Sequence, residues 1–218
     1  MSEPSASQIS LPLLWKTDKQ TNHFIVTAAN AHLTESLDLA DGWSNHTAIL
    51  IGEPRAGKTL FAHLFSERTG GEAIDDADQQ SDEKLFNAWN RAQEASLPLL
   101  LVSAMPLSEW EIELPDLRSR LASSEQLELG GPDDAMIAAL LRQYFSERGS
   151  SISEDVLDYI CKRAERSYAG VEALGEAIHK AALEAKKPIG RKLVSSVIEL
   201  QELPANEGGS NPTEPTKL

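Results

Sequence analysis

Cysteine is almost missing from this sequence. Cys161 is the single one in 218 residues, so no internal disulfide can form, which fits a reducing compartment. It sits in a helical pattern between Ile160 and Ala164 and reads as core filler rather than a reactive thiol. Basic residues are also few: 20 Lys and Arg face 34 Asp and Glu, a formal net charge of -14. So acidic a chain lacks the basic face that duplex phosphate demands, and points to protein or small-ligand partners instead. Long apolar runs are absent. "AILI" and "LPLLLV" are far too short to cross a bilayer, and "MSEPSASQIS" has neither the basic start nor the apolar core of a signal peptide. A cytoplasmic protein with no membrane contact is the expectation. The five histidines, His23, His32, His46, His63 and His179, show no metal-ligand spacing. No Ser or Cys lies in a nucleophile motif, and the tryptophans form no stacking platform for single strands. What is present is a real core, since 41% of residues are hydrophobic, enough for one medium domain or a domain with a small appendage.

The order of patterns along the chain predicts an α/β base followed by an all-helical lid. Apolar spacing of three and four predicts a helix over 24–40. "TAILI" (47–51) is a short buried strand, and a helix follows from Lys58 to about Arg68. A brief strand and an acidic loop fill 70–83, then comes a helix through Phe86 and Trp89. "LPLLLVSA" (97–104) and "EQLEL" (125–129) complete the strands, and their alternation with helices implies a parallel sheet covered on both faces. After Gly131 only helical patterns remain. One carries Met136, Ile137, Leu140, Leu141, Tyr144 and Phe145 on a stripe. A second opens at Ser153, a good N-cap with Glu154 and Asp155 in its first turn. Two more run over about 167–186 and 191–200. The predicted boundaries are a flexible N-terminal tail at 1–22, the base at 23–130, the lid at 131–201 and a disordered tail at 202–218. No internal repeat is visible.

The strongest chemical signal is "GEPRAGKT" (52–59), which matches the phosphate-loop pattern G-x-x-x-x-G-K-S/T at every fixed position, between a strand and a helix. Gly57 lets the backbone wrap close to phosphate, and free N–H groups at the helix start meet negative charge. Lys58 reaches the terminal phosphates and Thr59 is placed to ligate Mg²⁺. The expected nucleotide contacts are Gly52, Pro54, Arg55, Ala56, Gly57, Lys58, Thr59 and Leu60. Hydrolysis needs an acidic residue at a neighbouring strand end. "AIDDAD" offers Asp75 and Asp76 as catalytic candidates, with Asp75 beside Thr59 as a metal ligand. Only Ala73 and Ile74 precede them as strand, so a solvated acidic loop is the competing reading. Nucleotide binding is thus better supported than turnover.

Near the start, "QISLPLLW" places Ile9, Leu11, Leu13, Leu14 and Trp15 where no fold is evident. Either this stretch packs on its own domain as a terminal strand, or it fills another protein's groove.

Together "GEPRAGKT", "DDADQQSDEKLFNAWN", "LPDLRSRLASS", "PDDAMIAALL" and "ERSYAGVEAL" resemble the AAA+ module of the bacterial replication initiator DnaA. More closely they resemble its truncated relatives, the Hda-type regulators that inactivate DnaA, in their alphaproteobacterial form. The resemblance covers about residues 8–200. It implies a P-loop AAA+ three-layer base with a small helical lid, an adenine nucleotide (ADP or ATP, with Mg²⁺ possible), and two partners. One is the DNA polymerase III β sliding clamp, met by a peptide similar to "QISLPL", so Gln8, Ile9, Ser10, Leu11, Pro12 and Leu13 become clamp-binding candidates. The other is DnaA, whose ATP would be hydrolysed with an arginine finger supplied in trans. The family's finger lies in the "SRL" triplet, at Arg120, with Arg118 as its neighbour; ordinary surface arginines are the alternative.

Three departures from that pattern stand out. Only 15 residues, 60–74, separate Thr59 from Asp75, which leaves no room for a usual strand and helix and predicts a sheet of about four strands. Tyr168 and Ala169 stand where a nucleotide-sensing lid Arg is expected, and the nearest Arg is Arg166. DnaA's basic DNA-binding domain has no counterpart, so sequence-specific DNA binding is not expected. The leading reading is a negative regulator of replication initiation, a monomer or homodimer with weak or no ATPase of its own. An autonomous AAA+ ATPase, or a nucleotide-free scaffold for clamp and DnaA, stays open.

Overall fold

The structure, a computed structural model, describes residues 24–202. The expectations placed on 1–23, including Gln8–Leu13, and on the tail beyond 202 lie outside the described residues. Four parallel strands form the sheet: β1 (Thr47–Gly52), β2 (Glu72–Ile74), β3 (Leu99–Ser103) and β4 (Glu125–Leu129), in the order β2-β3-β1-β4. The predicted four-stranded α/β base is therefore what the chain builds.

Strand alternation sends side chains into two separate cores, one on each face. Ala48 and Leu50 of β1 join Leu100 and Val102 of β3 in the first, under α1 (Ala31–Asp38) and α2 (Lys58–Thr69). Trp43 stacks on Phe65 there, with ring centroids 5.6 Å apart. Ile49, Leu99 and Leu101 point the other way, towards α3 (Asp82–Ala95) and α4 (Pro115–Ala122). α4 begins on Pro115, whose fixed φ and missing N–H suit a first helical position.

The lid holds α5 (Asp134–Glu147), α6 (Glu154–Cys161), α7 (Tyr168–Ala185) and α8 (Arg191–Glu202) around a third core built on Ile137, Leu141, Phe145, Ile160 and Ile178. Asp133 and Ser167 cap α5 and α7, accepting from the N–H groups of Met136 at 2.7 Å and Gly170 at 3.0 Å. Ser153 occupies the N-cap position of α6 as its sequence predicts, yet its hydroxyl makes no capping bond. Cys161 is buried in the lid core, where loss of solvent pushes its thiol pKa up.

The helix expected over 24–40 is a correction. It forms only at Ala31–Asp38. Asn30 accepts from the Thr27 N–H at 2.8 Å and donates to the Ile25 carbonyl at 2.8 Å, closing a turn that the backbone cannot make as helix. Phe24–Asn30 is thereby laid across the base as an extended segment and turn, with Phe24 tilted against Phe61 at 5.6 Å.

Candidate functional site

β1 ends at Gly52 beside Leu129 of β4, so close that a Cβ there would lie 2.9 Å from the Leu129 Cβ. The chain then turns through Glu53–Ala56 and enters α2 at Gly57, whose φ of 90° is a left-handed conformation that glycine adopts freely. Arg55 shares the left-handed region at φ 67°. The first turn of α2 therefore faces the loop with free N–H groups and the positive end of the helix dipole.

Lys58 folds over this loop. Its ammonium donates to the carbonyls of Gly52 at 2.8 Å and Glu53 at 2.9 Å. Burial lowers its pKa, while Asp75, Asp76 and Asp78 pull it upward. Thr59 donates through Oγ1 to Asp75 Oδ2 at 2.5 Å, so the two residues singled out for a divalent cation stand together at the ends of adjacent elements. Asp76 lies one residue on, exposed, with φ 48°. Among the described residues no group of three or more His, Cys, Asp or Glu is arranged to hold a metal unaided. A hydroxyl and a single carboxylate fit a cation that brings its other oxygen ligands from water and phosphate.

Between loop and lid lies a cleft of about 160 Å³. Arg55, Ala56, Gly57 and Leu60 form one wall, Phe24 and Ile25 another, and Met136, Leu140, Gln143 and Tyr168 the lid side. Of the expected nucleotide contacts, Arg55, Ala56, Gly57 and Leu60 line this cleft, Gly52, Lys58 and Thr59 stand outside its lining, and Pro54 is exposed in the turn. The sequence reading missed the apolar walls. Phe24 and Ile25 looked like the start of a helix, and Met136 and Leu140 like ordinary core. Tyr168 was noticed as the occupant of an arginine's place, not as a wall of the cleft.

The arginines divide clearly. Arg55 pairs with Glu172 on α7, a link from loop to lid that raises the guanidinium pKa. Arg166 is outside the cleft's lining, bound to Asp134 and, at 3.2 Å, to the Cys161 carbonyl. Arg118 donates to the Ile112 carbonyl. Arg120 is half-buried on α4, pairing with Asp116 at 2.6 Å. Its guanidinium lies 4.1 Å from the Trp89 ring centroid and 4.9 Å from that of Phe86, and donates to Asn90 Oδ1 at 3.3 Å. The structure does not bring Arg118 or Arg120 to the phosphate loop's own lysine, threonine or aspartate partners.

No protein-family model matches the chain. Residue by residue it is similar to an uncharacterised protein of Haemophilus influenzae, 26% identical over 117 residues, which are 53% of this chain and 51% of that one. It is also similar to the chromosomal replication initiator DnaA of Thermus thermophilus, 28% identical over 132 residues, 59% of this chain and 30% of DnaA. The chain thus matches about half or less of each relative's length. In fold it is similar to domain III of Thermotoga maritima DnaA, with a TM-score of 0.62 and 12% identity over 81% of this chain and 93% of that domain. The Thermotoga maritima RuvB Holliday junction branch migration motor gives a TM-score of 0.57 and 19% identity over 78% and 68% of the two chains. A replication initiator DnaA bound to AMPPCP and single-stranded DNA gives 0.54 and 15% over 75% and 66%. The fold is that shared by these DnaA and RuvB P-loop domains, and part of the sequence is similar to DnaA.

Proposed function

We propose that this DnaA-related AAA+ module is a regulatory adaptor of the Hda type. It binds ADP or ATP as the ligand that fixes base against lid, tethers to the sliding clamp through Gln8–Leu13, and offers Arg120 to ATP held by DnaA. The outcome is a negative control of replication initiation in the cytoplasm. The observation that carries the reading is the phosphate loop itself: Lys58 over the loop and Thr59 beside Asp75, open to a cleft closed by the lid. Solved DnaA of the same fold holds AMPPCP, which supports an adenine nucleotide here.

Each residue has a task in this reading. The α2 N-terminus and Lys58 bind phosphate charge. Thr59 and Asp75 would hold Mg²⁺, which when bound neutralises phosphate charge. Phe24, Ile25 and Met136 supply apolar walls against which a flat base packs without losing solvent contacts it needs. The strand end reads Asp75-Asp76 rather than the Asp-Glu pair of vigorous ATPases, which agrees with weak turnover. Arg120 acts on the other protein's nucleotide: a guanidinium at a γ-phosphate stabilises transition-state charge and is worth roughly 10³–10⁵ in rate. Tethering to the clamp through Gln8–Leu13 raises the local concentration of the adaptor where DnaA is to be inactivated.

The test is hydrolysis of ATP pre-bound to DnaA, with DNA-loaded clamp, with and without this protein. Acceleration is expected, lost when the clamp is omitted, when Leu11 and Leu13 are both changed to Ala, or in Arg120→Ala. No acceleration in any nucleotide state overturns the regulatory reading. The contact between Thr59 and Asp75 also favours a second reading, an autonomous ATPase. Steady turnover by the purified chain, abolished in Asp75→Asn, would establish it.

A further inference from the structure

Burying a hydroxyl without a partner costs free energy, so such groups in folded proteins call for a reason. Tyr168 is the first residue of α7 and more than nine-tenths buried, and its hydroxyl finds no hydrogen-bond partner. Its ring belongs to the base core although its backbone belongs to the lid, so it bridges the two. It lines the same cleft as Arg55, Ala56 and Gly57. Asp133, the lid carboxylate whose charge acts on this phenol, is engaged elsewhere: one oxygen accepts from Met136 N–H at 2.7 Å and the other from Ala29 N–H at 3.1 Å.

The lid's charged candidates do not serve the cleft. Arg166 is held by Asp134 and the Cys161 carbonyl, and Glu172 holds Arg55. The polar side chains that the lid gives this cleft are Gln143 and Tyr168, and the Gln143 amide already donates to Glu147 Oε1 at 2.9 Å, which leaves the phenol. Burial, with Asp133 and Glu53 adding to it, pushes the phenol pKa up to about 12, so the hydroxyl keeps its proton throughout the neutral range. A buried, protonated phenol without a partner suits an acceptor-rich ligand, and the oxygens of a nucleoside phosphate are such acceptors.

We propose that the Tyr168 hydroxyl is the lid's hydrogen-bond donor to the nucleoside phosphate held by the phosphate loop, a neutral group working where no Lys or Arg of the lid lines the cleft. The inference rests on the reading that the loop holds a nucleotide. It gives the ligand a direct grip on α7, so filling the cleft draws base and lid together through one side chain.

Nucleotide-stripped wild-type, Tyr168→Phe and Lys58→Ala proteins would each be titrated with Mg-ADP by calorimetry and heated with and without it. Phe keeps the ring and removes only the hydroxyl. Tyr168→Phe is expected to bind on the order of tenfold more weakly, the scale of one lost hydrogen bond to a charged acceptor. Without ligand it should melt no lower than wild type, because the group it loses satisfies nothing in the empty cleft. Unchanged ADP affinity in Tyr168→Phe, with binding abolished in Lys58→Ala, overturns this inference and leaves the nucleotide reading standing. A lower melting temperature of unliganded Tyr168→Phe overturns it too, since the hydroxyl would then have an internal task. Failure of the wild type to bind ADP overturns the nucleotide reading itself.

Discussion

A guanidinium stacked on two rings is not yet free to reach another protein's phosphates. Arg120 is held by Trp89, Phe86, Asn90 and Asp116 at once, and serving in trans requires it to leave them. The Asp116 contact is the easiest to remove, being an i,i+4 pair with the carboxylate 61% exposed. Such pairs are worth roughly 0.3–0.5 kcal/mol, so Asp116→Ala should leave the urea midpoint nearly unchanged. It should raise the released fraction of Arg120 about twofold, read as a matching gain in hydrolysis of DnaA-bound ATP. A fall in that rate would mean that Asp116 aims the arginine rather than restrains it. Cys161 offers an independent check on the lid core. It is 6% exposed and its thiol pKa is raised by burial, so thiolate is scarce and hidden. Because it is the chain's single cysteine, labelling by a disulfide reagent reports this site alone. Native protein should react at least about tenfold more slowly than urea-unfolded protein. Equal rates would show a lid open to solvent.

Between α2 and β2 the chain turns directly through two glycines. Gly70 ends α2 at φ 69°, and Gly71 passes so near its neighbours that a Cβ would lie 2.2 Å from the Pro98 carbonyl oxygen and 2.7 Å from Phe65 Cζ. A backbone oxygen has little room to retreat. Gly71→Ala should therefore destabilise by roughly 2–3 kcal/mol, in the range of core overpacking, and should loosen the three-residue strand β2 that carries Asp75 at its end. Urea unfolding measures the first effect and amide exchange at Glu72–Ile74 the second. A loss below 0.5 kcal/mol, on the ±0.5 scale of neutral surface changes, would mean the turn can shift. The short spacing from Thr59 to Asp75 was legible because chain length limits what can fit. The phosphate loop was legible because its function needs fixed residues at fixed spacing. The segment 24–30 was not. Its apolar residues repeat at helical spacing, but Asn30 gives the backbone a competing partner at Thr27 and Ile25. The cleft's walls were hidden for a related reason: Phe24 and Met136 look in sequence like any buried residue, and only the crossing of lid over base makes them a pocket.

At the scale of the whole molecule the question is what joins base to lid when their cores are separate. Met136 and Tyr168 reach from lid helices into the base core, Asp133 holds the Ala29 N–H, and Arg55 pairs with Glu172. The first two contacts are buried or partly buried; the last is exposed, with side chains 62% and 45% accessible. Solvent screening makes an exposed pair a weak source of stability, yet this one ties Arg55, which lines the cleft, to α7. Its effect should therefore appear in kinetics. Glu172→Ala is expected to leave thermal unfolding of the empty protein within error of wild type. A bound fluorescent ADP analogue, chased with excess ADP, should leave the variant several-fold faster, because the lid no longer rests on Arg55. Association should change less, since most affinity differences among variants of one interface lie in dissociation. High salt should speed release from the wild type and scarcely affect Glu172→Ala, as screening removes what the substitution already removed. Equal release rates at every salt concentration would mean that the pair does not hold the cleft closed, leaving the Tyr168 and Met136 contacts to keep lid on base.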